Sequence, residues 1–116
     1  MRGLIIGSPY IDWILAGKKT WEIRGSPVNF REKIGLIRSG SGLVVATCDL
    51  VDFVGPLSLR ELKRNARKVA RSCPEIRVKP YKTTYALVLS NVRKLERPRP
   101  YTYRPGAIIW VKLPDV

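Results

Sequence analysis

The sequence predicts a small, mainly β protein of the α+β class: a partly closed β-barrel of five to six strands with two flanking helices. The chain has 116 residues, the usual size of one domain. Nine glycines and nine prolines divide it into many short segments. Several of these segments are rich in valine and isoleucine or alternate between apolar and polar residues, as strands do. We therefore expect a single domain over residues 1–116.

Two strands and one helix are predicted at the start of the chain. Residues 4–6 form a short apolar run typical of a buried strand. A helix follows, with Ser8 as its N-cap, Pro9 at its first position and Gly17 as its stop. Residues 20–24 alternate in polarity and are predicted to form the second strand.

The middle of the chain predicts a hairpin of two strands. Residues 33–38 form the first strand, and residues 39–42, Ser-Gly-Ser-Gly, form a tight connection. Residues 43–54 are long and valine-rich, and we expect this strand to bend or bulge near Asp49 and Asp52.

A second helix and two further strands complete the predicted elements. Ser58 and Glu61 have the spacing of a capping box, which predicts a helix that continues to about Arg71. The remaining strands are predicted at residues 83–95, where nearby prolines end the strand, and at residues 106–113.

The charge and the absent residue types narrow the possible functions. The chain has 22 lysines and arginines against nine acidic residues, a net charge of +13, which favours a polyanionic partner. Histidine is absent, which excludes Ser-His-Asp and Cys-His catalysis and histidine-ligated metals. Cys48 and Cys73 cannot form a zinc site alone, and no run approaches the ~20 apolar residues of a membrane span. We expect a cytoplasmic monomer with no metal, no cofactor and no membrane partner.

One short motif brings complementary charges together. Residues 17–24, Gly-Lys-Lys-Thr-Trp-Glu-Ile-Arg, fit G-x-K-x-x-E-x-R where the helix gives way to the strand. Glu22 and Arg24 lie on one face of that strand, roughly 6.6 Å apart, and Lys19 can reach the same place from the turn. Glutamate accepts hydrogen bonds from exocyclic amines, and arginine binds phosphates or carbonyls. The motif predicts a cleft for a nucleotide; the alternative is an exposed Glu22–Arg24 ion pair without further function.

The motif resembles the signature of the ASCH domain, a branch of the PUA-like superfamily. The resemblance extends over nearly the whole chain through Ser8-Pro9-Tyr10, Ser39-Gly40-Ser41-Gly42, Gly55-Pro56-Leu57 and Gly106-Ala107-Ile108-Ile109-Trp110-Val111. It implies a PUA-like β-barrel with a cleft beside the motif and a role in RNA binding. Some branches hydrolyse nucleic-acid substrates. ASCH-type amidohydrolases that act on acylated cytidine carry a lysine at the position of Lys19 but a threonine at that of Glu22.

Two further groups of residues are candidates for nucleic-acid contacts. Ser39, Gly40 and Ser41 form either a nest of backbone N–H groups around a phosphate or an ordinary hairpin turn that uses the positive φ of glycine. Six cations follow helical spacing on one face of the second helix, either to track phosphates or as a solvated surface. They are Arg60, Lys63, Arg64, Arg67, Lys68 and Arg71. Within this face we assign Arg64, Arg67 and Lys68 to RNA.

Three functions are compatible with these residues. The first is a module that binds single-stranded RNA, with a nucleotide held by Lys19, Glu22 and Arg24. The second is a small hydrolase, a ribonuclease or an amidohydrolase, in which Lys19 and Glu22 are catalytic. The third is an interaction protein that docks a protein partner through the basic helix. Asp49 and Asp52 fall on opposite faces of a strand, which argues against a shared metal ion.

Overall fold

A computed structural model describes residues 1–70, 79–102 and 109–114 of the chain. These residues form six strands and three short helices, which confirms the α+β class. In chain order the elements are β1 (Arg2–Ile6), α1 (Tyr10–Leu15), β2 (Trp21–Arg24), β3 (Glu32–Arg38), β4 (Leu43–Val54), α2 (Leu59–Arg64), α3 (Ala66–Val69), β5 (Tyr85–Pro100) and β6 (Trp110–Lys112). The strands make one sheet in the order β2-β5-β4-β3-β1-β6, in which only the β1–β3 pair is parallel among the described strands.

The sheet curls until its two ends approach each other. Strand β2 is one edge of the sheet, and β1 is the second strand from the other edge. The Arg24 Nη2 group on β2 nevertheless donates a hydrogen bond of 2.7 Å to the carbonyl oxygen of Ile5 on β1. A flat sheet would separate these strands by four inter-strand spacings of about 4.8 Å. The contact therefore requires strong curvature, as the predicted partly closed barrel has.

The two faces of the sheet carry separate apolar clusters. The inner face packs residues such as Leu36 and Leu87 against Ile11 and Ile14 of α1, all of them fully buried. The other face packs Trp21 of β2 against α2 and α3. Each fully buried aliphatic side chain stabilises the fold by about 1.5–3 kcal/mol, so α1 is held against the inner face at β5 and α3 against the other face at β2.

Strand β4 agrees with its prediction, and β5 is longer than predicted. Strand β4 has the predicted bounds, and its pairing with β5 shifts register between Thr47 and Asp49 and between Leu50 and Asp52. These irregularities confirm the expected bulges. Strand β5 continues through the prolines that should have ended it, up to Pro100. Among the described strands, its second half pairs with β4 alone and so forms an edge, where proline is tolerated.

Both predicted helices differ from the observed ones. The capping box of Ser58 and Glu61 is present, but α2 ends at Arg64, and α3 begins only after Asn65. The Asn65 side chain donates to the carbonyl oxygen of Glu61 at 2.8 Å, a local hydrogen bond of the kind that competes with helix continuation. Helix α1 begins after Pro9, without a side-chain cap from Ser8. Arg71, Cys73 and the start of the last predicted strand, residues 106–108, lie outside the described residues.

Candidate functional site

A tight turn between α1 and β2 positions the first charged residue of the site. Gly17 has a φ of +76°, a conformation that glycine adopts without strain, and it ends the helix as predicted. The backbone N–H groups of Lys18 and Lys19 both donate to the carbonyl oxygen of Trp13, at 2.9 and 3.2 Å. The chain therefore reverses within a few residues, and the Lys19 side chain enters the space beside β2.

Lys19, Glu22 and Arg24 form a buried charged cluster. The Lys19 Nζ atom lies 3.7 Å from Glu22 Oε1, and Arg24 Nη2 lies 3.5 Å from Glu22 Oε2. The three side chains are 1%, 7% and 17% exposed, respectively. The Glu22–Arg24 pair is therefore largely buried rather than exposed, and the three residues that the motif singled out lie together.

Backbone carbonyls complete part of this charged cluster. Lys19 Nζ donates to the carbonyl oxygen of Val69 at 3.4 Å, and Arg24 Nη2 donates to that of Ile5 at 2.7 Å. The Arg24 Nε atom is buried and has no hydrogen-bond partner among the described residues. The ring of Tyr10 lies 5.6 Å from Lys19 Nζ, on the α1 side.

The burial of Lys19 and Glu22, with Arg24 partly buried beside them, is not what stability alone would select. Removing ions from water costs several kcal/mol per ion, and apolar residues of similar volume often serve a core equally well. Charged groups that are held in such surroundings are frequently functional. The charged cluster is therefore the first candidate for a binding or catalytic site.

Helices α2 and α3 extend this site with exposed cations. The Thr20 backbone N–H donates to the carbonyl oxygen of Lys68 at 2.9 Å, and the Lys68 ammonium lies 4.8 Å from the centre of the Trp21 ring. Arg64, Arg67 and Lys68 are exposed. Because the helix breaks at Asn65, the cations occupy two short helices rather than one continuous face. Of these three cations, Lys68 contacts the motif, through Thr20 and Trp21.

The Ser39–Gly42 segment forms a hairpin turn between β3 and β4. Gly40 and Gly42 have φ values of +81° and +68°, as the turn interpretation expects. The Ser41 hydroxyl donates to the Arg38 carbonyl at 2.7 Å and accepts from the Leu43 N–H at 3.0 Å. The Ser39 N–H donates to the carbonyl oxygen of Ile6, next to the carbonyl that Arg24 uses. Adjacent carbonyls point to opposite edges of β1, so the turn and Arg24 lie on its two sides.

An aromatic pocket beside β2 was not predicted from the sequence. It has a volume of about 700 Å³ and is lined by Pro27, Val28, Asn29, Phe30, Phe53, Gly55, Pro56, Tyr85 and Trp110. Its four aromatic rings come from four separate segments, with no common spacing in the chain. The fold alone brings them together, and no sequence pattern gave a signal for them.

Among the described residues, the remaining polar side chains give no sign of a metal site. Within residues 1–70, 79–102 and 109–114, no three His, Cys, Asp or Glu side chains are grouped to hold a metal ion. Asp52 is instead paired with Arg31 at 2.7 Å, and Asp49 accepts from Asn91 at 3.3 Å. Burial, and to a lesser extent the charge of Asp49, raises the pKa of the Cys48 thiol to about 12. No helix within the described ranges has the length and apolarity to cross a membrane.

The small curled β-sheet with short flanking helices matches the fold of ASCH structures. The family model of the ASCH domain matches residues 4–99, and the chain belongs to this family. Crystal structures of the ASCH protein from Zymomonas mobilis share the fold. The unsubstituted protein is 18% identical with a TM-score of 0.73 over 96% of this chain and 87% of that chain. One single-substitution variant is 19% identical, with a TM-score of 0.72 over 96% of this chain and 89% of its own. A second is also 19% identical, with a TM-score of 0.73 over 97% of this chain and 87% of its own. No curated protein matches the sequence significantly.

Proposed function

We propose that this protein binds single-stranded RNA, with one nucleotide held beside Lys19, Glu22 and Arg24. The observation that carries the proposal is the charged cluster, because charged groups are costly to bury and groups held in such surroundings are frequently functional. The net charge of +13 supports a polyanionic partner. The family is also one that is suggested to bind RNA.

In this proposal the charged cluster and the exposed cations have different tasks. Arg64, Arg67 and Lys68 contact phosphates, which supplies affinity for any RNA sequence. Arg24 and Glu22 face the base or sugar, where an acceptor and a donor within one site discriminate between base edges. The hydrogen bond from Thr20 to the Lys68 carbonyl supports this division, since it joins the exposed cations to the motif. Ser39, Gly40 and Ser41 stay candidates for a further phosphate contact.

A pair of charge-reversal variants tests the proposal. In the first, Arg64, Arg67 and Lys68 are changed to glutamate. In the matched control, the equally exposed Lys94, Arg97 and Arg99 of β5 are changed to glutamate, so that both variants have a net charge of +7 instead of +13. Fluorescence anisotropy with a labelled single-stranded RNA should show about a tenfold or greater loss of affinity in the first variant and a much smaller loss in the control.

The other outcomes each contradict part of the proposal. Equal losses in both variants would mean that general charge, not this surface, attracts the RNA. Wild-type affinity in the first variant, with its fold intact, would mean that the basic surface of α2 and α3 is only solvated. A protein partner captured by this surface in place of RNA would favour the interaction-protein alternative.

A hydrolase is the second candidate, and one contact favours it. The ammonium of Lys19 and the carboxylate of Glu22, 3.7 Å apart, are a donor and an acceptor that could transfer a proton. The test is turnover of single-stranded RNA and of acylated cytidine by the protein and by Lys19→Met. Turnover that Lys19→Met abolishes would support this function, and no turnover by the unmodified protein would contradict it. We further propose that the chain is one ASCH domain over residues 1–116 and acts as a cytoplasmic monomer.

A further inference from the structure

The aromatic pocket lies on the same face of the sheet as the charged cluster. Arg24 of β2 is directly opposite Tyr85 of β5 in an antiparallel pair, so their side chains project to one side. Glu22 is opposite Leu87, which belongs to the inner core. The pocket, which Tyr85 lines, therefore lies on the side of the sheet to which Arg24 projects.

Among the described residues, the rings of the pocket are held by their neighbours and stay partly exposed. Phe30 and Trp110 meet edge to face, with ring centroids 5.1 Å apart, and both are half-buried. Tyr85 packs against Gly55, where an added Cβ would come within 2.7 Å of its ring. Glycine at this position thus makes room for the tyrosine ring. A partly exposed group of rings is the kind of platform on which bases stack.

Polar atoms around the pocket are available to a ligand. Within the described part of the chain, the side chains of Asn29, Tyr85 and Trp110 make no hydrogen bond with the protein. An amide, a phenol and an indole N–H offer both donors and acceptors. An aliphatic ligand would leave these groups unpaired, whereas a heterocycle with a polar edge can pair with them.

Guanidinium groups lie over the rings at the rim. The Arg2 guanidinium is 3.8 Å from the centre of the Phe30 ring, and that of Arg31 is 5.2 Å from the centre of Phe53. Arg2 is also paired with Glu32, and Arg31 with Asp52. These arginines are exposed and can exchange a carboxylate for a phosphate.

We propose that this pocket binds one unpaired nucleobase, stacked on its aromatic rings, with the adjoining phosphates toward the rim arginines Arg2 and Arg31. Its volume of about 700 Å³ falls within the roughly 300–1,000 Å³ of small-molecule sites. The proposal deepens the proposed RNA binding and rests on it for the source of the base. It adds a base-binding subsite that the G-x-K-x-x-E-x-R motif does not include.

Nuclear magnetic resonance of the tryptophan indole groups tests base binding directly. The Trp110 signal is assigned with Trp110→Phe, and the protein is titrated separately with adenosine, cytidine, guanosine, uridine and ribose 5-phosphate. At least one nucleoside should shift the Trp110 signal in a saturable manner, while ribose 5-phosphate should not. No shift with any nucleoside would overturn the proposal. A change that follows protein concentration without nucleoside would assign the pocket to a second copy of the chain and also overturn it.

Variants connect the pocket to RNA. Tyr85→Leu keeps apolar bulk but removes the ring, and it should weaken nucleoside and RNA binding roughly tenfold without changing the salt dependence of RNA affinity. The control is Tyr101→Leu, a half-buried tyrosine in a different apolar cluster. If Tyr85→Leu fails to fold, Phe53→Leu takes its place. Unchanged binding in the folded variant overturns the pocket proposal alone. Nucleoside binding by a protein that binds no RNA would overturn the RNA function and retain the pocket as a nucleoside site.

Discussion

Removing the charge of Glu22 is expected to destabilise the protein more than removing any exposed carboxylate. The Glu22 side chain is 7% exposed and is the acidic group that both Lys19 and Arg24 contact. Glu22→Gln preserves its size but leaves the buried Lys19 and the partly buried Arg24 without this counter-charge. Breaking a well-formed buried pair costs about 3–5 kcal/mol. The distances of 3.7 and 3.5 Å are long, and the carbonyls of Val69 and Ile5 still accept from the cations, so we expect about 2–4 kcal/mol.

Thermal unfolding converts this cost into a measurable shift. For a domain of this size, 1 kcal/mol corresponds to about 4 °C, so Glu22→Gln should lower the melting temperature by roughly 8–16 °C. The matched control is Asp12→Asn, which removes an acid that is 52% exposed and paired with Arg38. Such a pair contributes about 0–1 kcal/mol.

A double variant separates charge pairing from simple damage to the core. Lys19→Met removes one of the two cations. The double variant with Glu22→Gln should lose less folding free energy than the two single variants together, because once Lys19 is gone, Glu22→Gln leaves no unpaired charge there. Additive costs, or a Glu22→Gln variant as stable as Asp12→Asn, would refute the description of these residues as a coupled buried cluster.

Three further predictions concern the fold. In a Cys73→Ser background, alkylation of Cys48 near pH 8 should proceed only at the rate of unfolding, because burial raises the pKa of its thiol to about 12; rapid labelling of the folded protein would contradict this. Hydrogen bonds from the backbone and hydroxyl of Ser58 lower the pKa of Glu61. The stability that Glu61 contributes is therefore present above its ordinary pKa of 4.5, and it is lost as the pH falls through the lowered pKa. Chemical denaturation at several pH values should show this loss in the wild type and not in Glu61→Gln. Gly55→Ala should lower the melting temperature, since φ is +142° and the added Cβ would meet a neighbouring ring at 2.7 Å; an unchanged melting temperature would contradict the close packing there.

Features that depend only on neighbouring residues in the chain could be predicted from the sequence. Alternation placed Trp21 and Glu22 on opposite faces of β2, and the two faces do enter different surroundings. The capping box is satisfied on both sides, because Ser58 and Glu61 need only each other. Long-range pairing could not be predicted in the same way. Proline has no backbone N–H, so it ends a strand only where a neighbouring strand needs that donor. Whether β5 has such a neighbour at its prolines is a property of the whole sheet.

The burial of the charged cluster could likewise not be predicted from the sequence. The spacing of Lys19, Glu22 and Arg24 indicated that they share a face, but an exposed pair and a buried cluster have the same spacing. Two contacts with distant segments decide between them. The curl of the sheet brings Arg24 to the carbonyl of Ile5, and the carbonyl of Val69 accepts from Lys19. The aromatic pocket depends even more on the fold, since Phe30, Tyr85 and Trp110 are far apart in the chain.

The affinity of the unmodified protein for single-stranded RNA, measured across a range of salt concentrations, tests the central claim most directly. If exposed cations neutralise phosphates, the logarithm of the association constant should fall linearly with the logarithm of salt concentration, with a slope of about −0.7 for each phosphate contact. Contacts from Arg64, Arg67 and Lys68 predict a slope of roughly −2 or steeper. No binding at low salt, or an affinity independent of salt, would contradict the claim that this ASCH domain binds RNA through its basic surface.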